Sequence, residues 1–238
     1  MKTILILDTE TTGLGRFAVP PQEDRIVEIG LVLWSVEHSC IISTWSDLVV
    51  GPDNAAEAIN HIPAKSLGRG TTLESAMMTL VDYAQRADLV IAHRAEFDHA
   101  FVGDLDRGDL SDPRIIPWCC SKFDITWPLS KPGDGLAYVA IAHGVPVVAT
   151  HRALTDCLLL ARCFERCAEL GHSVPDMLAK ALRPRALFEV ADKSFDTARN
   201  ALARENGFSW NAPMKRWERK MAREDVAALP FKVREVMT

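Results

Sequence analysis

Hydrophobic positions come as short runs early in the chain and at helical spacing later. Ile4-Leu5-Ile6-Leu7 is an unbroken apolar run, so residues 2–8 read as a buried strand. Partial alternation over 26–36 (IVEIGLVLWSV) and 40–50 (CIISTWSDLVV), joined at Glu37-His38-Ser39, predicts two more strands and an antiparallel meander. Between the first two strands, GRFAVPPQEDR is a polar, proline-bearing loop placed to line a cleft near Asp8. ESAMMTLVDYAQR (74–86) has helical spacing and ADLVIAH (87–93) reads as a short strand. EFDHAFVGDL is helical again, and RIIPWCC (114–120) reads as a further strand. Strands first and strand–helix alternation afterwards predict an α/β fold with a mixed sheet.

Residues 151–170 (HRALTDCLLLARCFERCAEL) form the clearest helix, with Leu154, Leu158, Ala161, Phe164 and Ala168 along one stripe and Gly171 to end it. SVPDMLAKALRPR (173–185) reads as a proline-marked joint. Beyond it the pattern restarts as strand, helix and an aromatic hairpin around Phe208, Trp210 and Trp217. The expected organisation is a main domain over 1–183 and a small α+β accessory module over 184–238.

Composition narrows the class. Of the 238 residues, 48% are hydrophobic and 25% charged, which is ordinary for a globular protein and not for a disordered one. The sequence shows neither a bilayer-length apolar run nor a signal-peptide pattern, so a cytoplasmic protein without a membrane partner is expected. Its six cysteines include no C-x-x-C pair and are read as reduced core thiols. The net charge of -5 argues against gripping nucleic acid by bulk electrostatics, yet the charge is unevenly spread. Residues 1–184 hold 16 basic against 24 acidic side chains, and 185–238 hold 11 against 8. In the tail, FSWNAPMKRWERK interleaves tryptophan with Lys215, Arg216, Arg219 and Lys220. Three readings stand for it: a stacking and phosphate-contacting surface, a small core with solvated charges, or a docking surface for a polymerase or replisome partner.

The chemistry begins where the first strand ends. Asp8 and Glu10 are one residue apart, so on an extended chain both point to one face. DTET could simply cap a following turn; alternatively, a hard divalent cation would turn the two carboxylates' repulsion into coordination. Further acids occur in suitable settings. A buried strand runs into His93, and Asp98 follows in the first turns of a helix beside Phe97. His151 precedes the long helix and Asp156 lies five residues on, an offset of about 140° on a regular helix, so His151 belongs on the loop leading in.

DTETTGL, AHRAEFDHAF and HRALTD together resemble the three motifs of the DEDDh 3′-to-5′ exonucleases, the DnaQ-like group, over roughly residues 1–170. The resemblance implies a ribonuclease H-like fold, a mixed five-stranded sheet flanked by helices. It also implies that Asp8, Glu10, Asp98 and Asp156 hold two divalent cations, Mg²⁺ or Mn²⁺, with His151 as general base, releasing nucleoside 5′-monophosphates. Thr9, Thr11, Thr12, Leu14, Asn60, His61, His93, Arg94 and Phe97 become the expected substrate contacts. This chain has Arg94 where the family often has Asn, and Ile59-Asn60-His61-Ile62-Pro63 where many members read I-H-G-I-T. The expected partner is nucleic acid with a free 3′ end, single-stranded DNA foremost. An exoribonuclease and an inactive binding module are the alternatives.

Overall fold

A computed structural model describes residues 1–106, 115–191 and 197–236. Contacts divide the chain into two compact units, Met1–Ala181 and Leu182–Thr238.

In the first unit, β1 (Thr3–Thr11), β2 (Ile26–Ser35) and β3 (Cys40–Leu48) form the antiparallel meander. Two short helices, α1 (Glu57–Asn60) and α2 (Ala64–Leu67), lead to α3 (Leu73–Gln85), β4 (Leu89–Ala92), α4 (Ala95–Val102) and β5 (Trp118–Cys120). Helices α5 (Leu136–Ala142), α6 (Ala153–Glu169) and α7 (Val174–Ala181) complete the unit. The sheet order is β3-β2-β1-β4-β5, with β4 parallel to both β1 and β5. This is the mixed five-stranded sheet of the ribonuclease H-like fold.

Alternation along the strands separates two cores. Ile4, Ile6, Val32 and Trp34 face α6, packing with Leu160 and Phe164, while Leu5, Leu7, Leu31 and Leu33 pack with Ala76 and Leu80 of α3. The sheet is therefore covered on both faces, which is why β2 is buried at every position. Since β1 and β4 run parallel, their C-terminal ends share one edge, and the motifs that follow both strands are delivered there.

Several elements differ from the sequence reading. β1 continues through Glu10 to Thr11, so DTET is strand and not a cap; pairing with β2 extends it. β5 is only three residues long, because Pro117 has no N–H to donate to a ladder; Arg114 lies outside the described residues. The joint at 173–185 contains α7, where Pro175 sits harmlessly in the first turn and Val174, Leu178 and Ala181 are buried. Helix α5 had not been anticipated: LAYVAIA is too short to display a stripe, and Val139 and Ala140 are buried there.

In the second unit, β6 (Arg185–Val190), α8 (Thr197–Glu205), β7 (Ser209–Asn211), β8 (Arg216–Ala222) and β9 (Val233–Glu235) build a sheet of order β7-β8-β6-β9. It has its own small core of Phe188, Val190, Ala203, Phe208 and Met221. Among the described residues no helix is long and apolar enough to cross a membrane.

Candidate active site

Asp8 and Glu10 lie at the C-terminal end of β1 on the face that carries Ile4 and Ile6, hence toward α6. Their partners across the ladder are Gly30 and Glu28. At Gly30 a Cβ would fall 2.3 Å from the Ala153 carbonyl carbon, so glycine alone lets α6 press its first turn onto β2. That approach brings Asp156 to the strand. One carboxylate oxygen each from Asp8, Glu10 and Asp156 lie within 4.8 Å of one another.

Asp98 arrives from α4 and is 2% exposed. The backbone N–H and hydroxyl of Thr9 donate to its Oδ1 at 2.9 and 2.8 Å, which leaves Oδ2 as its other acceptor. His151, exposed and at φ 61°, stands just ahead of α6, and its backbone N–H donates to Asp156 Oδ2 at 3.2 Å. Asp156 Oδ1 is buried and has no hydrogen-bond partner.

This much uncompensated carboxylate resists ionising. Burial raises the Asp8 pKa well above its ordinary value, and Asp98, Asp156, Glu10 and Glu28 push it further. Glu10 is pushed up to about 8 by burial, then by Asp156, Glu28 and Asp98, with Arg152 opposing. Asp98 rises to about 7 through burial, against the pull of the Thr9 hydrogen bonds. Asp156 is raised by burial too, with the His151 N–H and charge acting the other way. An all-oxygen donor set, an orphaned Asp156 oxygen and strongly proton-retaining acids fit hard divalent cations, which supply the missing positive charge. Divalent metal use accords with this cluster.

Glu28 was not singled out by the sequence reading. It is 4% exposed on β2, and Arg152 Nε and Nη2 donate to its two oxygens at 3.0 and 2.9 Å. The Ala153 N–H also donates to Glu28 Oε2 at 3.0 Å, satisfying one of the first free N–H groups of α6. A lone acid in the apolar run IVEIGLVLW and a glycine two residues later were the available signals.

The expected substrate contacts separate into two sets. Leu14 is 53% exposed, and Phe97 is half-buried between Phe17 and Phe101, with ring centroids 6.0 and 5.1 Å away; His61 and Arg94 are exposed. The other positions turn inward. Asn60 is 0% exposed, accepting from the Ile62 N–H and donating to the Thr11 carbonyl, so it fastens β1 and is no surface contact. Both His93 nitrogens are engaged. Nε2–H donates to the Asp134 carbonyl, so in the neutral ring Nδ1 accepts from Ser121, and burial lowers the pKa to about 4. The Thr9, Thr11 and Thr12 hydroxyls donate to Asp98, the Gly13 carbonyl and Asp24. These buried threonines shape the turn, and their hydroxyl protons are not free for a ligand.

Residues 5–164 match the sequence pattern of the family described as Exonuclease. The chain belongs to the exonuclease family. It is of the DEDDh, DnaQ-like type, a 3′-to-5′ exonuclease with nucleic acid as its substrate class. Over 174 residues this exonuclease is 26% identical to the DNA polymerase III subunit epsilon of Buchnera aphidicola subsp. Acyrthosiphon pisum, covering 68% of the chain and 71% of that protein. Two solved structures share its fold. A 3′-exonuclease in a structure of histone mRNA stem-loop recognition aligns with a TM-score of 0.55 at 16% identity, over 72% of this chain and 84% of that one. E. coli Exonuclease I with a dT13 oligonucleotide aligns with a TM-score of 0.56 at 14% identity, over 84% of this chain and 50% of that one, so the exonuclease spans half of that relative. Residues 194–236 match a separate family described as a domain of unknown function.

Proposed function

We propose that the chain is a metal-dependent exonuclease that removes nucleoside 5′-monophosphates from the 3′ ends of single-stranded DNA. The carboxylate group with its unpartnered Asp156 oxygen is the observation that carries this reading. Asp8, Glu10, Asp156 and the free oxygen of Asp98 would hold Mg²⁺ or Mn²⁺. When bound, such ions neutralise the scissile phosphate and make water a competent nucleophile near pH 7.

The chain's own groups do the rest. Thr9 keeps Asp98 in one orientation, so its second oxygen needs no reorganisation. His151 stands exposed just ahead of α6, where its imidazole takes a proton from the attacking water. Attack on phosphorus breaks the P–O3′ bond and leaves the phosphate on the departing nucleotide. Leu14 and Phe97 offer apolar surface to the terminal bases, a contact indifferent to sequence. The likeness to a DNA polymerase III subunit favours DNA and a polymerase or replisome partner.

Digestion of 5′-end-labelled single-stranded DNA and RNA, with Mg²⁺ and with EDTA, tests this. A 3′-shortening ladder on DNA, absent in EDTA, is expected. Preference for RNA would transfer the reading to an exoribonuclease, and binding without shortening would end it.

A further inference from the structure

The second unit carries an aromatic and cationic corner that the catalytic centre does not use. Trp210 on β7 pairs across the ladder with Trp217 on β8, their ring centroids 5.8 Å apart. Trp217 is immobilised: its Nε1 donates to Asn200 at 2.8 Å, and it packs against the small core. Arg204 of α8 lies over the Trp217 ring, 5.6 Å from its centroid. Trp210 remains 39% exposed, and at the hairpin turn Met214 is 59% exposed, with Lys215 exposed beside it.

Several arginines of the unit are held by carboxylates. Arg183 pairs with Glu224 and Asp225, Arg216 with Glu218 and Glu189, Arg223 with Glu235, and Arg234 with Glu189. Arg204 and Lys215, like Lys220 and Lys232, have no carboxylate partner among the described residues. Arg204 over the Trp217 ring and Lys215 in the turn between β7 and β8 thus belong to the same corner as the exposed Trp210. A half-exposed indole on a rigid aromatic support, with two cations on the same hairpin and its neighbouring helix, complements an unpaired base and its phosphates. The excess of acidic residues over 1–184 adds a reason for such a contact: a polyanion approaching that body is repelled, while 185–238 attract it.

We infer that this corner is a second contact for single-stranded DNA, in which a base stacks on Trp210 while Arg204 and Lys215 engage neighbouring phosphates. Its choice of strand rests on the proposed function; its stacking and charge chemistry does not.

The test uses the full-length chain and a fluorescein-labelled oligothymidylate, followed by anisotropy in EDTA so that no cleavage occurs. Trp210→Ala is expected to weaken binding about tenfold, the size of one lost stacking contact, while Trp210→Phe keeps most of the affinity. The double change Arg204→Gln with Lys215→Gln is expected to flatten the slope of log affinity against log salt by about 1.4, the share of two phosphate contacts on a single strand. Hydrolysis of the p-nitrophenyl ester of thymidine 5′-monophosphate, a mononucleotide with no strand to occupy a second contact, should be unchanged in all variants and reports that each is folded at the catalytic site. Wild-type affinity and salt slope in the variants would overturn the inference, as would a Phe variant no better than Ala. An affinity lost with no change in salt slope would remove the phosphate contacts, and with them the proposal. If wild type fails to hydrolyse the ester, the catalytic reading falls, while the anisotropy still decides this one.

Discussion

Asp98 and His151 are set up in opposite ways. Asp98 is buried and accepts two hydrogen bonds from Thr9, whereas His151 is exposed, with its backbone N–H tied to Asp156. A fixed acid suits coordination, and an exposed imidazole suits accepting a proton from water. His151→Ala is therefore expected to lower kcat by about 10² to 10⁴-fold with little change in KM, measured on the small ester and on DNA. The acids also couple cations to stability. Between the ordinary Glu10 value of 4.5 and about 8, an unfolded chain has lost the proton that the folded site retains. The folded state thus binds more protons there, and metal-free stability falls as pH rises through that window. Bound cations replace those protons. The increase in Tm on adding Mg²⁺ should consequently be larger at pH 8 than at pH 5, and equal increases would contradict the assignment of this cluster as the metal site. At this scale the sequence showed the acids through D-x-E spacing and strand-end placement. It did not show that Asn60, His93 and the threonines turn inward, because a polar side chain next to a motif looks the same whether it meets solvent or the Thr11 carbonyl.

Among the elements, α6 decides whether the site exists. Its lateral position depends on Gly30, and its first turn on Glu28, which receives both Arg152 and the Ala153 N–H. Gly30→Ala places a methyl group against backbone, which cannot rotate away; a cost of about 1–3 kcal/mol or more is expected in chemical denaturation, with activity falling as Asp156 is displaced. Arg152→Ala leaves the buried Glu28 without its cation while removing no proposed ligand. It should reduce both Tm and kcat, and Arg152→Lys should recover part of each, whereas a higher KM alone would place Arg152 on the substrate. The strands and the long helix were legible because their periods are strong and their lengths sufficient. Short α5 and β5 escaped or were overdrawn, as three to seven residues carry almost no periodicity. The Glu28–Arg152 pairing was invisible for another reason: it joins positions 124 apart, and nothing local marks it.

Across the whole molecule, two units with separate cores imply two separate responses. The carboxylate cluster belongs to the unit built on the five-stranded sheet, and the second unit packs on Phe188, Phe208 and Met221. Mg²⁺ is therefore expected to slow amide hydrogen exchange at Ile4–Leu7 and along α6, and to leave Phe188–Val190 unchanged. Equal protection in both sheets would show that they unfold together. The change of pattern after Gly171 revealed that something new begins, yet proline at 175 suggested an interruption where a helix in fact forms. The long reach from Glu28 to Ala153 has a consequence for the chain's birth. While it is still being translated, the polypeptide displays Asp8, Glu10 and then Asp98, but the anchor on β2 has nothing to hold until residues 152 and 153 emerge. Hydrolytic competence is thus expected only after α6 has been made and has docked on β2.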